Sequence, residues 1–137
     1  MLRSTACRYE QFETPWYRKW AEALGYPTSV SRDVPISYRK IWEWAAIAEV
    51  LDSRSMLAAG KRGAGFAVGQ EPLAALFANR GVEIIGTDLG TDESQESWTN
   101  TGQHASSREA MFQPELVERG LFEQLVTFQP ADMNDPA

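Results

Sequence analysis

Cysteine and histidine are almost missing from this sequence. Cys7 is the single cysteine among 137 residues, which excludes an internal disulfide and a multi-cysteine zinc site. His104 is the single histidine, which argues against a histidine-based metal centre and against a Ser-His-Asp triad. The acidic cluster of Asp92, Glu93 and Glu96 is typical of a solvated loop. We therefore expect no metal site.

Basic residues and long apolar runs are also scarce. Lysine and arginine number 13 against 19 acidic residues, which gives a net charge of −6. A sequence-independent nucleic-acid binder needs a basic stripe, and the arginines here are scattered, so we expect no nucleic-acid partner. The sequence has no apolar run of signal-peptide or bilayer-spanning length. These features predict a soluble, cytoplasmic protein without a membrane partner.

The first part of the chain, residues 1–58, predicts two helices. In the first, Thr14 is placed to cap the helix, Pro15 suits the first helical position, and Gly25 suits the end. The second spans residues 34–57. Its apolar residues recur at helical spacing and form one stripe: Ile41, Trp44, Ala45, Ala48 and Leu51, with Trp42 and Ile47 beside it.

The hydrophobic period changes in residues 59–137. Strands and helices alternate, which predicts a right-handed, parallel α/β sheet. The second strand is nearly continuous in its apolar character, as expected of a parallel strand covered on both faces. The third helical segment of these residues is expected to open at Pro114 and close at Gly120. The predicted elements are strand 62–68, helix 71–81, strand 82–88, helical segments 107–112 and 114–120, and strand 125–133.

The first strand runs into a glycine-rich turn. Gly63, Gly65 and Gly69 would let the backbone approach a ligand closely. They form neither a G-x-G-x-x-G fingerprint, because Val68 occupies the sixth position, nor a P-loop. Asp88 ends the next strand 19 residues beyond Gly69, close to the roughly 20 expected for an acid that binds a ribose. The pattern favours an adenosine-like ligand; the alternative is that the acid only caps a turn.

The stretch "GAGFAVGQEPLAALFANRGVEIIGTDL" resembles the opening of a class I, Rossmann-type S-adenosylmethionine-dependent methyltransferase. More narrowly, it is similar to a bacterial branch often found beside glycosyltransferase and polysaccharide genes. "PWYRKWAEAL", "YRKIWEWAAIAEVL", "WTNTGQHAS" and "VTFQPADMND" extend the resemblance to nearly the whole chain. It implies S-adenosylmethionine as cofactor and a small-molecule or carbohydrate-like methyl acceptor.

The resemblance also implies a larger sheet. The family has seven strands in the order 3-2-1-4-5-7-6, and this chain supplies the first three, after two N-terminal helices. We therefore expect residues 59–137 to be the N-terminal half of a Rossmann-like domain, apparently truncated. The outer edge of the first strand would be bare, and a bare edge favours a homo-oligomer.

Cofactor contacts follow from the resemblance position by position. Asp88 would bind the ribose hydroxyls, Leu89 and Met133 would lie against the adenine, and Asp132 would receive its amino group. Ala67 stands where glycine is usual, and the sign of its φ decides whether the methyl group introduces strain. The first cofactor loop would consist of Gly65, Ala67, Gly69 and Glu71.

The sequence assigns no catalytic residue. The setting of His104 in "TGQHAS" resembles a family motif near the pocket, which implies a base or a ligand contact; the alternative is a structural histidine that hydrogen-bonds a loop. Trp42 would line the substrate side or simply pack the helices. Two other functions stay open: a catalytically inactive Rossmann-like binding or interaction module, and an NAD-binding oxidoreductase in which Asp88 holds the ribose.

Overall fold

The computed structural model describes residues 6–28, 38–88 and 105–131. The chain divides into two compact units, Met1–Ala58 and Ala59–Ala137. Within the described ranges, no helix combines the length and the apolar character needed to cross a membrane.

The first unit opens with a short 3-10 helix, Tyr9–Glu13, followed by helix α1, Pro15–Ala23. The side chain of Thr14 accepts a hydrogen bond from the N–H of Tyr17 at 3.4 Å, and proline occupies the first helical position. Gly25 adopts a φ of +75° just past the helix end. The predicted start and end of this helix are confirmed.

Helix α2 spans Tyr38–Asp52 and packs against α1. The predicted stripe is largely buried, but Ile47 is 44% exposed and does not belong beside it. The reason is geometric, because Ile47 lies two residues after the buried Ala45 and therefore about 200° around the helix. The predicted extension to residue 57 is also wrong, since the helix ends at Asp52 and Ser55 has a φ of +56°.

The core of the first unit is aromatic. Trp20 is fully buried, and its indole N–H donates to Oε2 of Glu49 at 2.9 Å. The rings of Phe12 and Tyr17 meet edge-on at 4.9 Å between centroids. The hydrogen bond joins α1 to α2, and the ring pair joins the 3-10 helix to α1.

The second unit contains a three-stranded parallel sheet with the order β1-β2-β3. Ala64 on β1 is paired with Ile85 on β2, which is paired in turn with Thr127 on β3. Together with the helices, this sheet confirms the predicted α/β class and forms a Rossmann-like fragment. The strands are β1 (Arg62–Phe66), β2 (Glu83–Asp88) and β3 (Val126–Pro130).

Helix α3, Leu73–Asn79, connects β1 to β2. Pro72 is its N-cap residue, and Gly81 follows its end with a φ of +80°. A Cβ at Gly81 would lie 3.0 Å from the backbone of Ala59, so both the conformation and the space at this position require glycine. The predicted helix is confirmed within two residues at each end.

Helix α4 is Arg119–Leu125, so the helix predicted over residues 114–120 is misplaced. The side chain of Glu118 accepts a hydrogen bond from the N–H of Leu121 at 3.0 Å and caps the helix. Gly120 lies inside the first turn, where a Cβ would stand 3.1 Å from Oε2 of Glu118. Backbone hydrogen bonds from Gly120 and Leu121 lower the pKa of the Glu118 carboxyl. The glycine therefore makes room for a cap and does not end a helix.

Within the described part of the second unit, α3 and α4 cover one face of the sheet, and no helix covers the other, which we call the open face. Ile84 and Val126 are buried on the covered face, whereas Ile85 is 39% and Phe66 is 67% exposed on the open face. The expectation that the second strand is covered on both sides is therefore wrong for the described part of the chain. Its residues alternate between a buried and an exposed environment at Glu83 to Gly86.

Candidate functional site

The turn after β1 folds back over the end of β2. The N–H of Val68 donates to the carbonyl oxygen of Thr87 at 3.0 Å. Ala67 and Gly69 both have left-handed backbone conformations, with φ of +51° and +52°. The sign of φ at Ala67 is thus positive, and this conformation costs a non-glycine residue about 1–2 kcal/mol.

Asp88 joins this turn to two other segments. Its Oδ2 accepts hydrogen bonds from the N–H of Gly69 at 2.9 Å and from the N–H of Ala105 at 3.0 Å. Its backbone carbonyl accepts from the N–H of Ala131 at 2.9 Å. The residue is only 3% exposed. Backbone donors of this kind stabilise a buried carboxylate, so the acid organises the carboxyl edge of the sheet.

Three residues at this edge were missed by sequence reasoning: Val68, Thr87 and Ala105. The hydroxyl of Thr87 donates to the carbonyl oxygen of Gly65 at 3.2 Å and ties the ends of β1 and β2 together. Thr87 directly precedes the predicted acid, Asp88, so its position at the end of β2 could have identified it as a residue of the site. Ala105 gives no such signal, because a main-chain N–H is common to nearly all residues.

The covered face under the turn is built around glycines. A Cβ at Gly65 would lie 2.5 Å from Cγ1 of Val68, and one at Gly86 would lie 2.6 Å from Sδ of Met111. Cγ2 of Val68 would also lie 3.3 Å from a Cβ at Gly86. The side chains of Val68 and Met111 therefore occupy the space that β-carbons would need. Close packing here depends on glycine for space rather than for a positive φ.

The structure brings Gly65, Ala67, Gly69 and Asp88 together. Glu71 closes the turn, since its N–H donates to the carbonyl oxygen of Val68 at 3.2 Å.

Trp42 belongs to the first unit, where its ring meets that of Trp16 edge-on at 6.3 Å. Its indole N–H is buried without an acceptor in the part of the chain that the structure describes. The remaining predicted positions, Leu89, His104, Asp132 and Met133, lie outside the described residues, as do Asp92, Glu93 and Glu96.

A cavity of about 290 Å³ lies at the opposite edge of the sheet, beside the amino ends of the strands. Arg62, Glu83, Gln124 and Thr127 are among its lining residues. Ligands of open α/β sheets bind at the carboxyl ends of the strands, so the turn and Asp88 remain the candidate site. Among the described residues there is no group of three acidic, histidine or cysteine side chains that could hold a metal ion.

The carboxyl ends of β1 and β2 bring together a carboxylate and a glycine-containing turn. A carboxylate is an acceptor for the two hydroxyls of a ribose, and a glycine-containing turn lets a ligand approach the backbone. Both lie at the carboxyl ends of adjacent parallel strands and are joined by one hydrogen bond.

The comparisons with protein-family models, curated proteins and solved structures found no match.

Proposed function

We propose that residues 59–137 form the cofactor-binding part of an S-adenosylmethionine-dependent methyltransferase. The observation that carries the proposal is the hydrogen bond between the N–H of Gly69 and Oδ2 of Asp88, which unites the glycine turn and the acid at one sheet edge. The strand order also supports it, because β3-β2-β1 is the order that the resemblance implies for the first three strands.

In this proposal the backbone of the turn and the carboxylate of Asp88 have different roles. The backbone of Gly65 to Gly69 would pass beneath the methionine and ribose portions of the cofactor, and Asp88 would bind the ribose hydroxyls. The bound cofactor supplies a methyl group activated by a positively charged sulfur. The chain's own residues bind and orient it, and the acceptor is a small or carbohydrate-like molecule.

A second candidate is a Rossmann-like module that binds no cofactor. The specific observation in its favour is the burial of Asp88, whose Oδ2 already accepts hydrogen bonds from two backbone N–H groups. In that case the acid serves only to hold the turn, which is the alternative left open by the sequence.

Isothermal titration calorimetry with S-adenosylhomocysteine distinguishes the two candidates. We expect binding to the unmodified chain, no binding of NAD, and an affinity about tenfold or more weaker in Asp88→Asn. The matched control is Asp52→Asn, which makes the same chemical change at an ion pair with Lys19 in the other unit. No heat of binding from a folded chain would favour the cofactor-free module, and tighter binding of NAD would favour an oxidoreductase.

A further inference from the structure

The two ends of residues 105–113 reach the two parts of the candidate site. At one end, the N–H of Ala105 donates to Oδ2 of Asp88 at 3.0 Å. At the other end, Nε2 of Gln113 donates to the carbonyl oxygen of Gln70, in the glycine turn, at 3.3 Å. We call residues 105–113 the bridging segment, because they connect the acid at the end of β2 to the turn after β1.

The middle of the bridging segment packs against the sheet. It contains a 3-10 helix, Arg108–Met111, and Met111 at the end of this helix is fully buried. The sulfur of Met111 lies only 2.6 Å from the position that a β-carbon of Gly86 would occupy. Gly86 lies on β2, two residues before Asp88. The segment therefore contacts the strand that carries the acid as well as the acid itself.

Arginine side chains hold the bridging segment to α4. The guanidinium of Arg119 donates to both carboxylate oxygens of Glu109, at 2.9 and 3.0 Å, and lies 4.2 Å from the centre of the Phe112 ring. A bidentate pair fixes the direction of its partner as well as the distance. The hydrogen bonds from Arg119 also lower the pKa of the Glu109 carboxyl. Nη1 of Arg108 donates to the carbonyl oxygen of Glu123 at 3.3 Å.

We propose that Gln113 and Arg119 are positioning residues of the candidate site. Gly69 has a wide conformational range because it lacks a β-carbon, so a bond to the next residue, Gln70, restricts the turn. Arg119 acts one step further away, by holding the segment that carries Gln113 and Ala105. For its ligand, S-adenosylmethionine, the inference rests on the proposed function. Both residues act through the backbone of the site and need no contact with the ligand.

Backbone order parameters from nitrogen relaxation measure the rigidity of the turn in the full chain without a ligand. The amide of Gln70 should have an order parameter of about 0.85 in the unmodified chain and about 0.6 in Gln113→Met, which keeps the side-chain length but has no donor. Arg119→Gln should lower the same value by a smaller amount. A general loss of stability leaves these picosecond-to-nanosecond values unchanged in a folded chain, so the measurement is specific to positioning.

Two matched controls lie at the opposite edge of the sheet. Gln124→Met changes an exposed glutamine of α4 in the same way. Arg62→Gln breaks an exposed ion pair in which the guanidinium lies 3.0 Å from the carboxylate of Glu83. Neither control should change the order parameter of Gln70. Circular dichroism establishes that each variant folds.

Calorimetric titration with S-adenosylhomocysteine then connects the turn to the ligand. We expect Gln113→Met to weaken binding about fivefold and Arg119→Gln about threefold, and both controls to bind as the unmodified chain does. If the unmodified chain binds no ligand but Gln70 loses order in Gln113→Met, the proposed function fails and the positioning of the turn stands. An unchanged order parameter in Gln113→Met, or an unchanged affinity in a chain that binds, would overturn the inference.

Discussion

The backbone N–H of Gly69 and Oδ2 of Asp88 lie 2.9 Å apart, and this bond fixes the turn after β1 to the end of β2. The same oxygen accepts the N–H of Ala105, so one buried carboxylate holds two separate stretches of backbone. The effect of changing Asp88 therefore extends beyond ligand binding to the stability of the second unit.

We expect Asp88→Ala to lower the free energy of unfolding by about 2–4 kcal/mol, because two backbone N–H groups lose a charged acceptor. Asp88→Asn keeps an oxygen of the same shape and should cost about 1 kcal/mol. Urea denaturation followed by circular dichroism measures both values. Equal losses in the two variants would show that the acceptor oxygen is not what stabilises the turn.

The positive φ of Ala67 predicts that glycine is better at this position. Ala67→Gly should stabilise the second unit by about 1 kcal/mol, since it relieves a left-handed conformation that alanine disfavours. Gly69 has nearly the same φ, so Gly69→Ala is the matched variant and should destabilise by a similar amount. The urea concentration at the midpoint of unfolding should rise in Ala67→Gly and fall in Gly69→Ala. A shift in the same direction for both would contradict the positive φ at Ala67.

A β-carbon at Gly86 is expected to destabilise the second unit while Met111 remains. Gly86→Ala should cost about 1–3 kcal/mol, because the new methyl group would overlap Sδ of Met111. The cost should be smaller when measured in a Met111→Ala background, and the difference is the coupling energy. Gly63→Ala is the control, because its β-carbon would meet only the terminal methyl of Ile84 at 3.3 Å. Additive losses at Gly86 and Met111 would refute direct contact.

The two buried indoles of the first unit should respond differently to loss of the N–H. Trp20 donates to Glu49, whereas the N–H of Trp42 has no acceptor among the described residues. Replacing tryptophan by phenylalanine removes a similar apolar area at both sites, but only the Trp20→Phe substitution also breaks a hydrogen bond. Trp20→Phe should therefore cost about 1–2 kcal/mol more than Trp42→Phe in thermal or urea unfolding. A larger loss at Trp42 would indicate that its N–H does have an acceptor.

Residues that act through local backbone chemistry were predictable from the sequence. Thr14, Pro15 and Gly25 mark the bounds of α1 by capping and conformational preference, and both bounds agree with the structure. The alternation of strands and helices likewise predicted the α/β class. These signals depend on near neighbours in the chain, which a sequence displays directly.

What depended on distant neighbours was not predictable. Ile85 has the same apolar character as Ile84, yet it faces the open side because no described helix covers it. The sign of φ at Ala67 and the hydrogen bond from Ala105 to Asp88 are set by tertiary contacts, so spacing alone gives neither.

Val68 has a wider consequence for the candidate site. Its side chain packs where the β-carbons of Gly65 and Gly86 would be, while its N–H is bound to Thr87. Opening of the turn would therefore expose the interior of the sheet as well as break a hydrogen bond. The turn and the sheet beneath it constitute one cooperative unit, in which local opening carries much of the cost of unfolding the sheet. The surface at this edge is therefore preorganised, and binding of a ligand would change the conformation of the turn very little.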